Sequence, residues 1–196
     1  MGSQQGCRLA PVEGKGLGLV ATRALQAGST IFTEDPLFLI TREMKAEVAR
    51  LLEAYRGLSE ETKEKVEQLH DPGETYDKFD AIPEIDPSDR KVLRIIDVNT
   101  YGSELAESSG VYETISRINH SCWPNVHYTL VAGRGMEVRA CRPVARGEEL
   151  LASYLGQGFE LATRRARVEE TVRRWSFTCR FASATDTPPP GAGCAP

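Results

Sequence analysis

The chain has 196 residues, 40% of them hydrophobic and 27% charged, which is enough for one domain with a sizeable core. Its 24 basic and 28 acidic residues leave a net charge of −4, which argues against a surface that tracks a phosphate backbone. No stretch approaches the ~20 apolar residues that cross a bilayer, and the first residues lack both a secretory apolar run and a myristoylation pattern, so neither secretion nor membrane anchoring is expected.

From Gly14 to Ile40 the texture is strand-like. Leu17–Ala21, Thr30–Thr33 and Leu37–Ile40 are separated by Gly28 and Pro36. Residues 41–98 then read as a helical insert. Thr41 caps a first helix with Met44, Val48, Leu51, Leu52 and Tyr55 on one face, ended by Gly57. Ser59 caps a second, reaching His70 before Asp71-Pro72-Gly73 stops it. After a loop with Pro83 and Pro87, Ser88 opens a third through Val92, Leu93 and Ile96. The insert carries a net charge of −5, which can draw a basic partner, although a solvated helical face is the simpler reading.

Strand texture returns after Asn99. Val126–Val131 and Met136–Ala140 flank a glycine turn and read as a hairpin, and Glu149–Leu155 reads as a further short strand. A last helix places Leu161, Val168, Val172 and Trp175 on one side, and residues 182–196 read as a disordered tail. The whole is α+β and β-rich, split by the insert and closed by one helix. Five scattered cysteines (Cys7, Cys122, Cys141, Cys179, Cys194) with no CxxC are not a disulfide framework and point to a reducing interior, cytoplasmic or nuclear.

Two clusters invite chemistry. Gly14-Lys15-Gly16-Leu17-Gly18 precedes a strand rather than opening a helix, so it is not a dinucleotide fingerprint; it marks a tight turn or a close backbone approach. Arg117-Ile-Asn-His-Ser-Cys-Trp-Pro-Asn125 is the densest polar run. His120 and Cys122 two residues apart are weak evidence for a nucleophile, and two ligands do not make a zinc site.

Asn119-His-Ser-Cys-x-Pro-Asn125, Arg146-Gly-Glu-Glu-Leu-Leu-Ala-Ser-Tyr154, Gly14-x-Gly-Leu-Gly18 and Val111-Tyr-Glu occur in that family's order, and together they resemble the SET domain of protein lysine methyltransferases. The likeness covers residues 14–40 and 96–179. It is greatest to the branch with a split domain, the SET-and-MYND proteins and their small fungal relatives. The resemblance implies small curled sheets with a C-terminal pseudoknot, divided as residues 1–40, an insert at 41–98, 99–157 with the knot, and a closing segment at 158–181.

It also implies transfer of a methyl group from S-adenosylmethionine to a lysine of a protein substrate, with a basic protein as one candidate. The implied cofactor contacts are Gly14, Lys15, Gly16, Leu17, Asn99, Asn119, His120, Tyr154 and Phe177, with Tyr154 catalytic. A catalytically weak interaction module on the same fold is the alternative. Two departures stand out. The insert holds no cysteine, so no zinc-binding MYND module is expected in it. Of the family's closing zinc ligands only Cys122 and Cys179 match, because Phe181 and Ala184 replace two others and Cys194 lies in the tail; a metal-free closure is therefore expected.

Overall fold

Glycines with a left-handed backbone mark where this chain reverses. Gly14 and Gly16 turn the first hairpin at φ +71° and +77°, while Gly28 and Gly147 turn later loops at +78° and +86°. The computed structural model describes residues 6–76, 78–82, 85–102, 108–131, 135–156, 159, 162–175 and 177–179. They fall into two compact units, residues 1–34 with 117–196, and residues 35–116. Small sheets combine with a few helices in a mixed α+β fold, as the sequence leads one to expect.

In the first unit β1 (Cys7–Val12) and β2 (Gly16–Ala21) form an antiparallel hairpin, with Cys7 opposite Ala21 and Val12 opposite Gly16. β3 (Thr30–Glu34), β9 (Gly135–Ala140) and β8 (Val126–Val131) make a three-stranded sheet in the order β3-β9-β8. The turn at 132–134 lies outside the described residues.

β7 (Asn119–His120) pairs in parallel with β10 (Leu151–Ala152). The strand expected over 149–155 is thus only two residues long. Around it the chain is held by single bonds instead: Leu150 N–H to the Leu19 carbonyl at 2.7 Å, Ser121 N–H to Ala152 at 2.9 Å and Asn125 N–H to Leu151 at 2.9 Å. Leu19, Leu25, Ile118, Val138 and Leu150 are buried beneath these elements.

α5 (Arg164–Trp175) closes the unit. The residue it buries completely is Thr171, whose hydroxyl donates back to the Val168 carbonyl at 2.8 Å; Val172, expected on the apolar side, is 46% exposed. A threonine that satisfies its own hydroxyl on the helix can be buried where its polarity alone argues otherwise. Leu161, Phe181, Cys194 and the tail at 182–196 lie outside the described residues.

In the second unit β4 (Phe38–Thr41), β6 (Ser108–Val111) and β5 (Thr100–Tyr101) are ordered β4-β6-β5. Thr41 caps as expected, its hydroxyl accepting the Met44 N–H at 3.4 Å, but the helix it starts is interrupted. α1 (Arg42–Ala46) ends at Glu47, whose extended backbone (φ −127°, ψ 105°) then starts α2 (Val48–Arg56). α3 (Glu60–Glu67) starts from Ser59, which accepts the Thr62 N–H at 3.2 Å, and it ends three residues short of His70.

α4 (Pro87–Val98) begins one residue before the expected Ser88. Proline is well placed there, since the first turn has no intrahelical partner for its missing N–H. Leu93, Ile95, Ile96, Val66 and Val111 are at most 1% exposed, so these helices and strands share one apolar core. Among the described residues no helix is long and apolar enough to cross a membrane.

Candidate active site

The glycine turn and the β7–β10 pair meet through three polar side chains of the first unit. Asn119 donates its Nδ2 hydrogens to the Leu17 carbonyl at 3.1 Å and to Glu149 Oε1 at 2.8 Å. The other carboxylate oxygen, Glu149 Oε2, pairs with Lys15 Nζ at 2.7 Å. Only a glycine fits beneath this net: a Cβ on Gly18 would lie 2.7 Å from Asn119 Nδ2 and 2.8 Å from Val12 Cγ2. Here the close backbone approach read from the glycine run has its partners. A Cβ at Gly14 or Gly16 would meet nothing within 4 Å, so that edge of the turn is open.

A second cluster is built around His120. Its Nδ1 accepts the Tyr154 N–H at 3.0 Å, which in a neutral imidazole leaves the proton on Nε2, facing Cys122 Sγ at 3.3 Å. The imidazole lies 5.2 Å from the Tyr154 ring and 5.5 Å from Phe177. Trp175 meets Tyr154 edge-on at 5.6 Å, which makes a group of rings with an amphipathic tyrosine at its centre.

The Tyr154 hydroxyl donates to the Ile118 carbonyl at 2.8 Å. Burial, and then the charges of Tyr128 and Glu149, push this phenol above its ordinary range, so it stays protonated at neutral pH. Tyr128, whose hydroxyl donates to the Ser153 carbonyl at 3.2 Å, is pushed up to about 12 by burial. With its proton committed to Ile118, the Tyr154 oxygen offers lone pairs to a polarised N–H or C–H group. It is not a base.

Asn119 thus joins Leu17 to Glu149, which also holds Lys15, and ring contacts group His120, Tyr154 and Phe177. Asn99 belongs to the other unit, where it is 3% exposed and ends α4. Its Nδ2 donates to the Ile95 carbonyl at 2.7 Å and the His70 carbonyl at 2.8 Å, so both amide hydrogens have a structural duty. Glu149 and Trp175 are the residues that sequence reasoning did not assign to the site. Glu149 stood in the quoted Gly-Glu-Glu-Leu motif without a role, and Trp175 read as part of a helical face.

Three candidate metal ligands, His120, Cys122 and Cys179, have their donor atoms within 4.8 Å of one another, all buried. The donor set falls short of a structural zinc site among the described residues. Such a site takes four ligands, and these are three.

The SET domain family is matched over residues 16–155. The chain is 29% identical over 154 residues to the histone-lysine N-methyltransferase set5 of Schizosaccharomyces pombe, covering 76% of this chain and 41% of that protein. It is 39% identical over 70 residues to SET5 of Yarrowia lipolytica, covering 35% and 15%. To the human N-lysine methyltransferase SMYD2 it is 28% identical over 116 residues, covering 56% and 25%. The chain therefore spans less than half the length of the curated relatives it matches.

Proposed function

This chain belongs to the SET domain family, and on that premise we propose that it transfers a methyl group from S-adenosylmethionine to the side-chain nitrogen of a lysine in a protein. The observation that carries the reading is the Tyr154 hydroxyl, anchored on the Ile118 carbonyl at 2.8 Å amid the His120, Trp175 and Phe177 rings. S-adenosylmethionine, when bound, supplies a methyl group on a positively charged sulfur. The open edge at Gly14–Gly16 leaves backbone accessible to such a ligand, with the two Lys15 ammonium hydrogens that Glu149 does not take available to a carboxylate, the Asn119 amide oxygen to a donor and the Phe177 ring to its aromatic part.

The chain's own task is alignment. Fixing amine and methyl donor in line removes about 7–11 kcal/mol of barrier when geometry is good. The ring cluster excludes water from the amine, which lowers its pKa and favours the neutral, nucleophilic form. Tyr154 stays neutral and accepts polarised hydrogens through an oxygen that the Ile118 contact holds still. The relatives named as histone-lysine methyltransferases favour a basic protein as substrate, and a nuclear or cytoplasmic setting.

Binding of the donor is tested by thermal unfolding with and without S-adenosylmethionine. At a hundred times its dissociation constant a ligand adds about 2.7 kcal/mol of stability. Wild type should gain this and Asn119→Ala should gain less, whereas no shift in wild type up to millimolar ligand would remove the reading.

A further inference from the structure

Where the family closes its site with a zinc cluster, this chain groups two cysteine thiols and His120 with donor atoms within 4.8 Å of one another. We propose that Cys122 and Cys179 form a reversible disulfide, a covalent modification site that fastens the segment carrying Phe177.

The two cysteines are 57 positions apart in sequence, yet the Cys122 N–H donates to Cys179 Sγ at 3.3 Å. Their sulfurs lie within 4.8 Å of one another, and both are reduced. A disulfide needs that gap closed to a bond of about 2.05 Å, and Cys179 lies after α5 rather than in a sheet. Polar donors surround the pair. His120 Nε2 faces Cys122 Sγ at 3.3 Å, and the Cys122 backbone N–H points at Cys179 Sγ. Cys7 lacks this setting, and burial pushes its thiol to about 11.

The oxidant is a hydroperoxide. The Cys179 sulfur gives up its proton and takes the terminal oxygen of hydrogen peroxide as the O–O bond breaks, giving a sulfenic acid, and the released hydroxide leaves with that proton as water. The Cys122 sulfur then displaces the sulfenic hydroxyl, the S–S bond forms, and a second water carries away the Cys122 proton. Two thiols are oxidised and one peroxide is reduced to two waters. A dithiol reductant reverses the bond by exchange. Because Phe177 lies two residues before Cys179 and 5.5 Å from His120, the bond ties that ring to the site, and its reduction releases it.

The test uses the full chain, reduced and then treated with hydrogen peroxide under native conditions. Remaining thiols are blocked with N-ethylmaleimide, and peptides are mapped by mass. The expected product is a linked Cys122–Cys179 peptide in most molecules, about 2 Da lighter than the separate thiols and restored by dithiothreitol. It should also form when Cys7 is replaced by serine, and amide exchange over residues 175–179 should be slower in the oxidised chain. Separate maleimide adducts on Cys122 and Cys179 after peroxide would overturn the proposal. So would stoichiometric zinc in the purified chain that keeps both sulfurs from peroxide. Exchange that is no slower after oxidation would refute the tie to Phe177. The readout is a covalent bond, so it is independent of whether the chain transfers methyl groups.

Discussion

Asn125 should be the most expensive polar side chain to remove from the first unit. It is 0% exposed, and its amide serves three partners: Oδ1 accepts the Leu151 N–H at 2.7 Å, and Nδ2 donates to the Glu149 carbonyl at 2.8 Å and to Glu148 Oε1 at 3.0 Å. Asn125→Ala orphans the Leu151 N–H and the Glu149 carbonyl beside β10. Each buried group left without a partner costs about 1–3 kcal/mol, so the pair costs roughly 2–6 kcal/mol; Glu148 can turn to solvent and adds little. At about 2–4 °C per kcal/mol for a chain of this length, a loss of about 4 kcal/mol lowers the unfolding midpoint by roughly 8–16 °C.

Asn125→Asp sharpens the test. It keeps the acceptor for Leu151 but turns an oxygen toward the Glu148 carboxylate and the Glu149 carbonyl. That environment raises the folded pKa of the new carboxyl above its unfolded value of about 3.9. Its neutral form is then favoured in the fold, so its penalty relative to wild type grows as pH rises from about 4 to 7. Differential scanning calorimetry at both pH values reads the two effects. A midpoint shift under about 2 °C for the alanine variant, or an aspartate variant equally impaired at both pH values, would refute the assignment.

Glu148 itself is held below the usual carboxylate range: burial would raise it, but the Ala145 N–H, Asn125 and the Arg142 guanidinium together outweigh that effect. Its contribution should therefore be complete above about pH 4.5 and fade as pH falls through the lower folded value; Glu148→Gln should cost about 1–2 kcal/mol at pH 7 and progressively less below pH 4.5, by calorimetry. Gly18→Ala places a methyl group against Asn119 and Val12 and should cost about 1–3 kcal/mol, with a matching loss of S-adenosylmethionine affinity read by titration calorimetry. Asn99→Ala, which frees the Ile95 and His70 carbonyls, should lower the unfolding midpoint while leaving that affinity unchanged.

Much of the local structure was legible because it is dictated locally. Thr41 and Ser59 cap helices through bonds to residues three positions on, and Gly14 reverses a hairpin because few side chains tolerate its backbone angle. The break at Glu47 left no such mark: Met44 to Tyr55 reads as one apolar face, and no proline or glycine announces an interruption. The site was harder still. Nothing in the spacing of Asn119, Glu149 and Lys15 says that they meet across 134 positions, and the family resemblance named Asn119 and Lys15 but gave Glu149 no role. Asn99 shows the same limit, because an Asn after a long helix serves equally as a ligand contact or as a cap, and the sequence alone does not announce its two carbonyl partners.

The central claim rests on Tyr154, and methyl transfer measures it directly. Purified chain, isotopically labelled S-adenosylmethionine and a panel of basic proteins and peptides are incubated together, and label on lysine is counted for wild type and Tyr154→Phe. The ring still packs on His120 and Trp175 in the variant, so fold and most donor affinity should persist. Loss of one preorganised hydroxyl should lower turnover by roughly 10–1000-fold. Labelled lysine from wild type and a deficit of that size in Tyr154→Phe is the predicted result. Equal transfer by both proteins would contradict the role of Tyr154, and donor binding with no transfer by wild type would make this chain an interaction module on an enzyme's fold.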